Sequence, residues 1–241
     1  YAQWHGIEPA IPLSFEAHLD AGLRILVGLV KAYVLAGLVN RLALQPGTDV
    51  LELNAMGWLV QLYAFTIFLY LNFSGYCDVV IGVGSLLGVR PPENFDKPFI
   101  ARNVSDFWQR QHRSLTLWLT DYVFAPTYKR ALSGVALARH PLLAANLALM
   151  LTMVVSGLWH GTTIGFLIFG LVHGTYLVVY HTWDHLLVRS LGRKRVIRLR
   201  QNWLARAIGI LLTFNAVAFA FLFFRLDTTR LLQLLNALVP T

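Results

Sequence analysis

Residues 140–183 read HPLLAANLALMLTMVVSGLWHGTTIGFLIFGLVHGTYLVVYHTW, an unbroken run without Asp, Glu, Lys or Arg. A bilayer span takes about 20 apolar residues. The run therefore holds two spans, near 142–159 and 163–180, joined by a polar turn at 160–162. Just beyond it Arg189, Arg193, Lys194, Arg195, Arg198, Arg200 and Arg206 crowd into the gap before the next apolar stretch. Positive charge between spans collects on the cytoplasmic side. If this gap and the basic segment before residue 140 both face the cytoplasm, the turn holding His160 points to the opposite side or into the membrane interior.

The rest of the chain agrees with a membrane setting. Hydrophobic residues make up 56% of it and charged residues only 13%, with a mean hydropathy of +0.57. That is too little charge to cover a soluble globule of 241 residues. A net charge of +8 with a pI near 9.9 could point to nucleic acid. The cations lie in the gaps between apolar runs, so they are read as topology signals in contact with the lipid bilayer, and nucleic acid is excluded as a partner.

Further spans are predicted at 22–44, 55–71 and 207–224. Lys31 falls inside the first and must be buried in protein or snorkel to the interface. Residues 53–77 carry no charge and the apolar tract runs on past Asp78 to Val89, too long for one straight span. Gly75, after Asn72 and Ser74, is the predicted break, followed by a bent or re-entrant continuation. Residues 1–20, with Pro9 and Pro12, read as an extended or interfacial lead-in. Residues 90–140 hold eight Lys or Arg and four Asp or Glu among many aromatic residues, which suits interfacial helices or a protein-lined cavity. The fold class is all-α, a polytopic transmembrane helical bundle with interfacial or re-entrant helices, read as one integral-membrane domain over 1–241. The chain opens at Tyr1 and closes at Pro240-Thr241, and is expected to be a piece of a longer protein.

Within Ser156-Gly157-Leu158-Trp159-His160-Gly161, an imidazole at the junction of two uncharged helices needs specific partners for its ring nitrogens. Neutral His160 can take a proton from a hydroxyl, and equally can be a hydrogen-bonded packing residue. His112 follows Trp108 by four residues, so on a helix the two share a face, as do Asp106 and Arg110, which read as a structural ion pair. Arg110 and Arg113 beside His112 disfavour its cationic form. Alone, His112 reads as an interfacial histidine. His173 lies thirteen residues beyond His160, off its helical face.

His181 and His185, with Asp184 between them, have metal-ligand spacing without a third ligand, and read as a polar helix end; no metal site is predicted. Gly82, Gly84 and Gly88 lack the order of a nucleotide loop and suit close helix packing. Cys77, the single cysteine, permits no intrachain disulfide, and neither it nor Ser74 has a base at recognisable spacing.

Five motifs occur in an order that resembles the membrane-bound O-acyltransferases. They are Asn72-Phe73-Ser74-Gly75-Tyr76-Cys77-Asp78, Pro91-Pro92-Glu93-Asn94-Phe95, Asp106-Phe107-Trp108 through His112-Arg113-Ser114-Leu115, Trp118-Leu119-Thr120-Asp121-Tyr122, and Gly157-Leu158-Trp159-His160-Gly161. The similarity is greatest to the bacterial branch that acylates alginate and teichoic acids. It departs at Gln111, where relatives carry an aromatic residue, and after Tyr122, where a glycine-rich turn is missing.

The resemblance implies a bundle around a tunnel, with His160 catalytic and His112 supporting it. Trp159, Trp108, Asp106, Asn103 and His173 are the candidate substrate-binding residues. It implies transfer of an acyl group, acetyl first, to a hydroxyl of an exported polysaccharide or cell-envelope polymer. The donor would be an acyl thioester or an acyl-carrier protein on the cytoplasmic side, with no bound cofactor. Periplasmic or extracellular polymer-modifying proteins are the expected partners and the bacterial inner membrane the expected location. The family's first helices are expected to be missing here, and the end allows a missing last one. The alternative from another class is a transporter or channel for a polar solute, lined by Lys31, Asp78, His160 and His173.

Overall fold

A computed structural model of the chain describes residues 14–43, 52–89, 91–226, 228–231 and 233. The lead-in around Pro9 and Pro12 lies outside the described residues. Among these, every regular element is helical, and five helices are long and apolar enough to cross a membrane. The chain is an all-α, multi-pass membrane protein. It divides into two compact units, the first holding the described residues up to Asn94 except Glu52, the second Glu52 and the residues from Phe95 on.

In the first unit, Ser14 opens α1 (Phe15–Leu29) by accepting the amide of Ala17 at 3.2 Å. This cap starts the helix about two turns before the predicted residue 22. α1 continues through a π-helical turn at Val30–Leu35 into α2 (Ala36–Asn40), giving one 26-residue span. α3 (Ala55–Leu86) has 32 residues, its start capped by Asn54, which accepts the Gly57 amide at 2.8 Å. At 1.5 Å per residue its length is about 48 Å. Such a helix must tilt across a hydrocarbon layer of about 30 Å or extend beyond it.

The predicted break at Gly75 is absent: α3 runs straight through it. The glycine serves packing instead, because a Cβ there would stand 2.6 Å from the Gly28 carbonyl oxygen and 2.7 Å from the Ala32 nitrogen. Gly82 continues the same seam, where a Cβ would meet Ile25 at 2.6 Å. Gly84 faces Pro91 in the same manner, whereas Gly88 lies past the helix end with φ 75° and makes the turn.

Lys31 is neutralised within this unit. Its Nζ donates to Asp78 Oδ2 at 2.7 Å, while Arg24 donates to Asp78 Oδ1 from Nε at 3.2 Å and Nη2 at 3.1 Å. Arg24 also makes two 2.6 Å bonds to Glu93. Two cations and two anions thus tie α1 and its π-helical turn to α3 and the segment after it.

The second unit begins with a 3₁₀ turn at Pro98–Ile100, then α4 (Val104–Arg110), α5 (Arg113–Leu119), a π-helical turn at Thr120–Phe124, α6 (Ala125–Ser133) and α7 (Val135–Ala138). α8 (Pro141–His160) and α9 (Ile164–Leu191) form the predicted antiparallel hairpin. α9 runs through His181, Asp184 and His185, and Asp184 is paired with Arg200. The basic segment is not a loop. Gly192, at φ 77°, ends α9, and α10 (Arg193–Gln201) follows with Val196 buried and its cations outward. Asn202 caps α11 (Trp203–Arg225), accepting the Leu204 amide at 2.8 Å.

The hairpin closes on glycine. A Cβ on Gly157 would collide with the Phe166 carbonyl oxygen, and one on Gly170 would stand 2.5 Å from the Met153 carbonyl oxygen. These neighbours are backbone and cannot swing away. Gly157→Leu is therefore expected to lower stability by about 1–3 kcal/mol or more through overpacking. Gly37→Leu, with open space around the glycine, is the matched control. Thermal unfolding of the two variants in detergent checks this; equal melting temperatures would sink the packing argument.

Candidate active site

Helix α4 is anchored at its start by polar groups. Asn103 caps it, accepting the Asp106 amide at 2.8 Å. Asp106 accepts the Arg102 amide at 3.0 Å and pairs with Arg110 at 2.6 Å, as the i, i+4 spacing predicts. Arg110 also donates to the Asp96 carbonyl at 3.2 Å. Asn103 Oδ1 and both carboxylate oxygens of Asp106 are thus engaged in shaping α4. Its inner side turns Phe107 and Trp108 into the core, both buried.

The helix does not reach His112. Gln111 leaves it in an extended conformation (φ −98°, ψ 127°), and His112 is left-handed (φ 47°, ψ 53°) as it starts α5. Trp108 and His112 therefore do not share a helical face, contrary to the periodicity argument. A non-glycine residue in this region carries roughly 1–3 kcal/mol of strain, so the surroundings must hold it there. His112 lies edge to face against Trp159, with ring centroids 5.7 Å apart.

His160 is the last residue of α8. Its ring is half-buried among Trp159 at 4.9 Å, Phe224 at 4.7 Å, Phe169 at 5.9 Å and Phe166 at 6.1 Å between centroids. Among the described residues no hydrogen bond claims either ring nitrogen of His160. Trp159 is 56% exposed, leaving an aromatic surface open beside both histidines. Gly161 is held to its size because a Cβ would stand 2.6 Å from the Phe166 ring.

His173 lies deeper on α9 and is fully buried. Trp108 Nε1 donates to its Nδ1 at 3.3 Å, and Phe107 stacks on it at 6.2 Å. Phe169 stands between the two spans' histidines, 4.5 Å from His173 and 5.9 Å from His160.

The structure thus brings His160, His112 and Trp159 together, places Trp108 and His173 behind them, and leaves Asn103 and Asp106 at the start of α4. Phe166, Phe169 and Phe224 were not singled out from the sequence. The first two were within reach: 166, 169 and 173 follow the i, i+3, i+7 rhythm of one helix face.

Burial, and after it the neighbouring His160, together hold His112 down to a pKa of about 4 from 6.5. The cause is burial, not the flanking arginines. A histidine depressed in this way stays neutral when folded, while the unfolded chain takes up the proton below 6.5. Its contribution to stability is full above pH 6.5, falls between 6.5 and about 4, and falls no further below that. Melting curves of wild type and His112→Gln test this. The gap between them is expected to change across that window alone; a constant gap would refute it.

A multi-pass helical protein with two histidines and an open tryptophan at a helix junction is the class this fold and site define. Residues 3–223 match the profile of MBOAT, the membrane-bound O-acyltransferase family, and the chain belongs to that family. Among relatives, a teichoic acid D-alanyltransferase of Streptococcus thermophilus is 31% identical over 83% of this chain and 50% of its own length. A peptidoglycan O-acetyltransferase of Helicobacter pylori is 32% identical over 70% of this chain and 28% of its own. A probable alginate O-acetylase of Azotobacter vinelandii is 42% identical over 51% and 23%. The chain spans half the length of these relatives or less. Membership of an acyltransferase family gives the transporter alternative no support.

Proposed function

We propose that this chain carries the acyl-transfer centre of an enzyme that esterifies hydroxyls of an exported polysaccharide or cell-envelope polymer, acetyl being the first candidate group and D-alanyl the second. The observation that carries the reading is His160, its ring nitrogens uncommitted among the described residues, beside His112 and the open face of Trp159. The names of the relatives support the class of acceptor. The family match runs through both units, which supports reading them as one acyltransferase domain.

In the proposed reaction, neutral His160 takes the proton of an acceptor hydroxyl as the oxygen attacks the acyl carbonyl of a thioester or carrier-linked donor. The tetrahedral oxyanion is met by a donor from Trp159 Nε1, the backbone near Gly161 or His112, which stays neutral. Collapse breaks the bond to the donor's sulfur or oxygen. The leaving group receives the proton from imidazolium His160, and the ester stays on the acceptor. The donor is reached from the cytoplasmic side of a bacterial inner membrane, and the polymer and its other modifying proteins lie beyond it.

The test supplies membranes holding the whole protein with a labelled acetyl thioester, or with a carrier charged with D-alanine, and measures label esterified to polymer. Label is expected with one donor and not with His160→Ala membranes of equal protein content. Undiminished label in that variant would overturn the assignment.

A further inference from the structure

Trp108 and His173 are both buried, and they meet through a bond whose direction has one reading. The indole Nε1–H is a donor and cannot accept. His173 Nδ1 must therefore be the acceptor, and the neutral ring carries its proton on Nε2. Protonation at Nδ1 would set two N–H groups against each other, so this bond requires neutral imidazole. Nε2 is buried without a hydrogen-bond partner among the described residues, inside a box of aromatic rings from Phe107, Phe169, Tyr176 and Phe221. Any contact that Nε2–H makes with these ring faces is weak. The ring earns its place through the Nδ1 bond.

That bond links both sides of the site. Trp108 sits on the last turn of α4, four residues before strained His112. On its other side His173 packs on Phe169, against which His160 lies. We infer that the Trp108–His173 hydrogen bond is a strut that sets the placement of His112 relative to His160, making His173 a positioning residue of the acyl-transfer centre. The inference rests on the function proposed above.

The experiment uses the whole protein in its membrane at equal abundance, with an acetyl thioester or a D-alanyl carrier, whichever the wild type uses, and reads kcat and KM for the donor. His173→Leu removes the acceptor, Trp108→Phe removes the donor, and His173→Asn keeps an oxygen acceptor near the position of Nδ1. The Leu and Phe variants are each expected to lose roughly 10-fold to 100-fold in kcat, the scale of a misplaced catalytic group, with KM little changed. His173→Asn is expected to recover most of the rate, and the double variant to be no slower than the slower single one. A Leu variant at wild-type kcat, an Asn variant as slow as Leu, or a loss confined to KM would each overturn the strut. His160→Ala in the same series separates the two readings. If it is inactive while His173→Leu is unimpaired, the strut alone fails; if it is active, the acyl-transfer reading fails first.

Discussion

His160→Ala is expected to lower kcat for acyl transfer by about 100-fold to 10,000-fold, with membrane abundance and KM for the donor little changed. The alkyl hydroxyl of a sugar is a poor nucleophile near neutral pH and gains most from losing its proton during attack. His160 sits at the junction of α8 and α9 with a half-open ring, and among the described residues no hydrogen bond claims its ring nitrogens. Removing it deletes the base but little packing, since Phe166 and Phe169 also pack against Phe224, and Trp159 against His112. His112→Ala is expected to act through the same transition state, as a lost donor or a lost wall against Trp159. Groups that act as a unit are not additive, so the double variant should be hardly slower than His160→Ala. Initial rates at saturating donor, normalised to protein in the membrane, decide it. A His160→Ala rate within a few tenths of wild type, or a double variant slower by the full product, would break the assignment of one shared centre.

What the sequence could show followed from what each feature depends on. Spans depend on uncharged length, which is local, so the first helix of the hairpin and the start of the second were legible to within a few residues, whereas the second runs on to Leu191, eleven residues past its predicted end at 180. Breaks depend on neighbours. Gly75 has the composition of a hinge, yet with Gly28 and Ala32 pressed against it the helix runs on. The basic gap after α9 has the charge of a loop, and a single buried apolar residue, Val196, gives it a helix to dock. His112 could be named from the motif around it. Its left-handed backbone could not, because nothing in the run from Trp108 to His112 interrupts helical periodicity. The pairing of Trp108 with His173 joins residues 65 apart through a bond between two aromatic side chains, and no spacing rule announces that. Asn103 and Asp106 became ligand-binding candidates through the family resemblance; the partners they have are amides and a guanidinium of their own helix and the residue leading into it.

Asp78→Leu is expected to cost up to about 3–5 kcal/mol of stability, the range for removing one partner of a fully buried ion pair, because this pair is part-buried inside membrane spans. Asp78 is the carboxylate shared by two cations: Lys31 has its ion pair there, while Arg24 retains Glu93. With Asp78 gone, Lys31 keeps among the described residues a ring contact, its Nζ 5.9 Å from the centre of Tyr70. A cation–π contact of about 0.5–2 kcal/mol does not offset the desolvation of an ammonium group inside a membrane span. The penalty therefore belongs to the orphaned charge more than to the lost bond. That distinction is testable, because removing both partners removes the orphan: Lys31→Leu with Asp78→Leu should regain most of the loss, to within about 1 kcal/mol of wild type. Arg24→Leu should cost less than Asp78→Leu, since Asp78 keeps Lys31 and the exposed Glu93 can be solvated. Thermal melting in detergent and protein surviving in the membrane give the ranking. If the double variant is less stable than Asp78→Leu, the cluster stabilises the α1–α3 pair through its bonds directly, and the orphan-charge account is wrong.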